Sequence, residues 1–66
     1  MKVIVNGESR ELPHGTTVAD LVRQAGLGTA ACAAEVNGTL VPRRAHDDAH
    51  LADGDRVELV TLVGGG

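Results

Sequence analysis

The chain contains no phenylalanine, tyrosine or tryptophan and a single cysteine, Cys32. Without aromatic rings the core must be built from Val, Leu, Ile and Ala, and the aromatic platforms on which unpaired bases stack are missing. One cysteine allows no internal disulfide and no cysteine pair to grip zinc, so two common supports of small domains are absent. No apolar run is long enough to cross a bilayer, and no secretory pattern opens the sequence. The expected location is therefore the cytoplasm, where a lone thiol stays reduced. Positive charge is also scarce. Six Lys and Arg face nine Asp and Glu, for a formal charge of −3. The one basic doublet, Arg43-Arg44, is followed closely by Asp47 and Asp48. Neither nucleic acid nor a membrane is an expected partner of such a surface.

At 66 residues the chain is expected to be one domain, residues 1–66, and such a domain buries only about 60% of its unfolded surface. A ligand pocket of roughly 300 Å³ or more would consume most of that core. The sequence therefore predicts a protein that is not a stand-alone catalyst, with no cofactor or metal of its own.

Two Asn-Gly pairs punctuate the chain. Lys2-Val3-Ile4-Val5 is a β-branched strand, Asn6-Gly7 a hairpin turn, and Ser9 to Leu12 the returning strand. Thr17 and Asp20 have the spacing of a capping box. Val18, Leu21, Val22 and Ala25 then fall at helical spacing on one face, and Gly26 stands where a left-handed cap is expected. Ala31 to Val36 and Thr39 to Val41 flank the second turn, Asn37-Gly38, with Pro42 ending the latter strand. Residues 43–50 are polar and irregular, Leu51 is a core anchor, and Arg56 to Val63 is the longest strand candidate after the turn at Asp53-Gly54-Asp55. The order β-β-α-β-β-β gives one helix to cover one sheet, a two-layer α+β domain.

Three polar features carry little chemistry by themselves. His46 and His50 bracket Asp47 and Asp48, a spacing that could hold a metal only on a helix; the segment has no helical periodicity and is read as a solvated connection. His14, between Pro13 and Gly15, is a turn residue. Cys32 lies among Ala30, Ala31, Ala33 and Ala34 and reads as a small buried hydrophobe. No neighbouring cation or helix start in the sequence would make it a reactive thiol.

The order of elements, the stretch Glu35-Val36-Asn37-Gly38-x-x-Val41-Pro42-Arg43, the stretch Leu51-x-x-Gly54-Asp55-x-Val57-Glu58 and the ending Val63-Gly64-Gly65-Gly66 closely resemble the ThiS family, the ubiquitin-like sulfur carriers of thiamine biosynthesis. The resemblance runs the length of the chain. It implies the β-grasp fold, a mixed sheet of four to five strands with one covering helix. It also implies that a ThiF-like adenylating enzyme, with ATP, activates the carboxylate of Gly66. Sulfur from a donor protein then gives a thiocarboxylate, which passes to thiazole synthase. Family members commonly carry an aromatic residue near His46, and this sequence departs from them there. The small subunit of molybdopterin synthase and the carriers for tRNA thiolation share the tail and its activation and differ in the acceptor. A ubiquitin-like interaction module whose tail is never activated is the alternative of another class.

The tail has a physical logic of its own. With no Cβ, Gly64, Gly65 and Gly66 pass a narrow channel and leave only backbone amides for a partner to hold, so residues 64–66 are expected to be flexible. In the preceding strand Val57, Leu59 and Thr61 alternate with Glu58, Val60 and Leu62. One helix covers only one face, yet the far end is apolar on both. Val60, Leu62 and Val63 are therefore the expected partner contacts.

Overall fold

A computed structural model describes residues 1–26 and 32–61. Its elements are β1 (Lys2–Val5), β2 (Glu8–Glu11), α1 (Val18–Gln24), β3 (Cys32–Val36), β4 (Thr39–Val41), a 3₁₀ turn (Arg43–Ala45) and β5 (Arg56–Thr61). The five strands form one mixed sheet in the order β2-β1-β5-β3-β4. β1 and β5 run parallel, and the other pairs are antiparallel. This is the β-grasp arrangement that the family resemblance implies, in the two-layer α+β form that the element order predicts. The expected strand residues Ala31, Leu62 and Val63 and the glycines 64–66 lie outside the described residues.

Local chemistry sets the elements. Asn6 and Gly7 both take positive φ (50° and 84°), as do Asn37 and Gly38 (53° and 82°). That is the requirement of the tight turn whose twist matches a hairpin, and Asn and Gly meet it at least cost. Helix α1 begins at the Thr17 cap. The Thr17 hydroxyl accepts from the Asp20 amide at 3.1 Å, and an Asp20 carboxylate oxygen accepts from the Thr17 amide at 3.0 Å. Two of the helix's otherwise unpaired amides are thereby satisfied.

The core lies between α1 and one face of the sheet. Val18, Leu21 and Val22 of the helix meet Val3, Val5, Ala34, Val57 and Leu59, with Leu12 and Leu51 closing the ends. The helix is one residue shorter than its periodicity suggests. Ala25 is the C-cap, not a fourth core residue, and is exposed, while Gly26 follows at φ 77°.

Segment 43–51 departs most from the sequence reading. Val18 N–H donates to the Ala49 carbonyl (3.0 Å), Ala19 N–H to that of His46 (3.1 Å), and Leu51 N–H to that of Thr16 (2.9 Å). The segment is thus fastened to the start of α1. His46, expected in solvent, is only 7% exposed. Its Nε2 donates to the Val41 carbonyl at 3.1 Å, a carbonyl being able only to accept. His50 stays exposed, and the described residues contain no cluster of metal-binding side chains.

Candidate partner-docking site

β5 occupies the centre of the sheet, and its last described residue, Thr61, pairs with Cys32 on β3. On the other flank its register with β1 is limited to Ile4 opposite Arg56 and Val5 opposite Val57. The Asn6 side chain takes over where β1 stops. Its Oδ1 accepts from the Leu59 amide at 2.9 Å and its Nδ2 donates to the Leu59 carbonyl at 3.3 Å, as another strand residue would. β5 therefore runs past the end of β1 toward residues 62–66.

Alternation splits β5 cleanly. Val57 and Leu59 enter the core, while Arg56, Glu58 and Val60 face away from the helix. Residues directly opposite on neighbouring strands share a face. Val60 with Ala33, Glu58 with Glu35, and Glu35 with Leu40 therefore make up one patch of the outer surface. Val60 is 54% exposed and Leu40 61% exposed; they are the large exposed hydrophobic residues of the described chain. A shallow groove on the β1 side of β5 passes Ile4, Asn6, Arg56 and Glu58. Of the three expected partner contacts, Val60 is where the alternation put it, and Leu62 and Val63 lie outside the described residues. Leu40 was missed, although its signal was present in the turn at Asn37-Gly38, which fixes the register that carries it beside Glu35.

On the helix side, at the end of the sheet where β5 leaves, lies a cleft of about 180 Å³ lined by Ala19, Val22, Arg23, Cys32, Arg43 and His46, with Asp47 adding a carboxylate. Cys32 is half-buried against the core, and its thiol meets the Ala33 carbonyl at 3.6 Å. Folding thus brings Arg23 and Arg43 to the same cleft as a cysteine whose sequence neighbours carry no charge. Arg23 is already engaged by Asp20.

One carboxyl is clearly shifted. The Thr17 backbone N–H, and next the Arg23 side chain, hold Asp20 below the usual carboxylate range by hydrogen-bonding its charged form. That shift belongs to the helix cap and not to the patch.

The ThiS family model matches residues 3–66. The chain belongs to the ThiS family. In three dimensions it is similar to the crystal structure of a thiamine biosynthesis protein, ThiS, from Geobacter metallireducens, with a TM-score of 0.81 and 30% identity, all of both chains being covered. A thiazole synthase from Paramagnetospirillum magneticum is 35% identical over all 66 residues of this ThiS-family chain, which spans only 20% of that protein. The uncharacterized protein ycf40 of Porphyra purpurea is 30% identical over the same 66 residues, 93% of its own length. No helix among the described residues is long and apolar enough to cross a membrane.

Proposed function

We propose that this chain carries sulfur for thiazole formation in thiamine biosynthesis, with the Gly66 carboxylate as its working group and Gly64 and Gly65 as the thread that presents it. The observation that carries the reading is the course of β5. The central strand outruns β1, is fastened by Asn6 at Leu59, and leads directly into Leu62-Val63-Gly64-Gly65-Gly66. The strand held at the centre of the sheet is thus the one that the glycine run follows in the sequence. Membership of the ThiS family and the likeness to a thiazole synthase support thiazole as the destination over molybdopterin or tRNA.

The chemistry follows from the weakness of a carboxylate as an acyl donor. Oxide is a poor leaving group. In the proposed cycle a ThiF-like enzyme joins the Gly66 carboxylate to the α-phosphate of ATP with loss of pyrophosphate. Sulfur delivered at the sulfide level by a donor protein then attacks the carbonyl carbon, and AMP leaves. The resulting thiocarboxylate is the better nucleophile and passes its sulfur to thiazole synthase. This chain contributes position and a docking surface at Val60, Leu62 and Val63; the acid–base work belongs to its partners.

Intact mass spectrometry after incubation with the adenylating enzyme, ATP and a sulfur donor tests the reading. The expected result is a mass gain equal to replacement of one oxygen by sulfur, located in the C-terminal peptide. An unchanged mass, with the enzyme active on another carrier, would make the chain an interaction module instead.

A further inference from the structure

Val5-Asn6-Gly7 and Val36-Asn37-Gly38 share a reactivity that neither the fold nor the carrier reading uses. Where glycine follows asparagine, no Cβ shields the glycine nitrogen, and that nitrogen can attack the carbon of the asparagine carboxamide. Neither the Gly7 nor the Gly38 N–H makes a hydrogen bond among the described residues. What restrains the reaction is the placement of the carboxamides, since both are engaged with β5 or the turn before it. Asn6 Oδ1 accepts from the Leu59 amide at 2.9 Å, and its Nδ2 donates to the Leu59 carbonyl at 3.3 Å. Asn37 Oδ1 accepts from the Arg56 amide at 3.0 Å, and its Nδ2 donates to an Asp55 carboxylate oxygen at 3.0 Å. Neither carboxamide is free to turn toward its glycine while both bonds hold. The two restraints differ in strength. Leu59 is 9% exposed and belongs to the core, so releasing Asn6 leaves a backbone amide and carbonyl without partners where water reaches them poorly. The Asn37 bonds lie at the surface, and there water takes over at little cost.

We propose that Asn37 is a site of spontaneous modification, a succinimide-forming position that the fold leaves open while it closes the matched one at Asn6. Gly38 N bonds to Asn37 Cγ and the Cγ–Nδ2 bond breaks. Nδ2 departs as ammonia, with the proton that Gly38 gives up through solvent. Water then opens the ring. Cleavage at Cγ leaves aspartate, and cleavage at the backbone carbonyl leaves isoaspartate. The steps are hydrolytic throughout and need no oxidant or reductant. The product is structurally costly at this position. The group that donated to Asp55 becomes a carboxylate oxygen facing another carboxylate at hydrogen-bond distance. Isoaspartate also lengthens the backbone of a two-residue turn that sets Val36 opposite Thr39. Asp55 in turn accepts from the Ala52 amide at 2.8 Å, and its carbonyl accepts from the Ile4 amide at 2.9 Å. Modification of Asn37 therefore loosens the start of β5 and gives the folded chain a chemical lifetime set at one turn.

The test uses the two turns as each other's control, because both read Val-Asn-Gly. The whole chain is incubated in mildly alkaline buffer, with and without urea. Conversion at each asparagine is followed by peptide mapping and by isoaspartate-specific methylation. In urea the two sites should convert at the same rate. In the folded protein only locally opened molecules react, and Asn37 should convert about tenfold or more faster than Asn6. Equal rates in the folded protein, a faster Asn6, or an Asn37 that converts only in urea would overturn the assignment. The part played by Asp55 is read from stability. Asn37→Asp should melt below the wild type, and adding Asp55→Asn should recover part of the loss by returning one donor to the pair. An unchanged Tm in Asn37→Asp, or no recovery in the double variant, would remove Asp55 from the account. None of these measurements involves the tail or a partner, so the result stands apart from the fate of the carrier reading.

Discussion

The two ends of β5 are built to opposite specifications. Its start is tied down from several directions. Asn37 N–H donates to the Arg56 carbonyl (2.7 Å) while Asn37 Oδ1 accepts from the Arg56 amide (3.0 Å). Asn37 Nδ2 donates to Asp55 (3.0 Å), Asp55 also accepts from the Ala52 amide (2.8 Å), and Asp53 accepts from that of Lys2 (2.6 Å). At the other end the last strand register is Cys32 opposite Thr61, and on the β1 flank the last tie is the Asn6 side chain at Leu59. Side-chain amides and carboxylates are concentrated at the start of the strand, and glycines follow its end in the sequence. The contrast implies that substitutions at the start should act on stability, and substitutions beyond Thr61 on activation.

The sharpest way to break that contrast is at the tail. One alanine added after Gly66 converts the carboxylate proposed to react into an amide and moves the free carboxylate outward by about 3.6 Å. ATP–pyrophosphate exchange with the adenylating enzyme should fall about a hundredfold or more, while Tm stays at the wild-type value. Full exchange in that variant would mean that the terminal carboxylate is not the working group.

Asn6→Ala should show the opposite split. It unpairs the Leu59 amide and carbonyl and places a Cβ residue without a compensating side chain at φ 50°, for a loss of about 2 kcal/mol in denaturant unfolding. Asn6→Gly relieves the backbone part and isolates the clamp itself. A loss below about half a kilocalorie in Asn6→Ala would show that water replaces the clamp freely.

Cys32→Ala probes the far end of the sheet without touching the tail. The loss of one half-buried sulfur should cost about 1 kcal/mol, and thiocarboxylate should still form. A folded Cys32→Ala protein that no longer loads sulfur would turn the cleft beside Arg23 and Arg43 into a transfer site.

The smallest effect is expected at Asp20, remote from both ends of β5. Its carboxyl is held low in the folded protein, so its contribution is present above the ordinary aspartate range and is lost as pH falls through the lowered value. The Tm difference between wild type and Asp20→Asn should therefore be constant near neutrality and close in acid. A difference that widens on acidification would assign the effect to another group.

What could be read from the sequence was what neighbours in the chain decide. The two Asn-Gly turns, the Thr17–Asp20 box and the alternation of β5 all depend on residues a few positions apart. What could not be read depends on which strands become neighbours. The opposition of Glu35 and Glu58 exists only because β5 lies beside β3 in one register. His46 is buried because the Ala19 amide and the Val41 carbonyl, distant or on another element, come to meet it. Arg23 and Arg43 come to share a cleft with Cys32 the same way. The partner patch was half legible, since periodicity finds Val60 but not the register that adds Leu40.

The parallel pairing of β1 with β5 has a consequence for how this unit can be joined to other polypeptides. Parallel strands start at the same end of a sheet, so Met1 and Thr61 lie at opposite ends of it. The Met1 nitrogen donates to the Leu12 carbonyl at 2.7 Å, and a peptide amide at that position keeps a proton to donate. A polypeptide spliced on ahead of Met1 therefore preserves the bond that closes the β1–β2 hairpin and emerges at the end of the sheet away from Thr61. Splicing after Gly66 instead abolishes the carboxylate. In gene fusions and in affinity-tagged preparations alike, the front of the chain is the permissive junction.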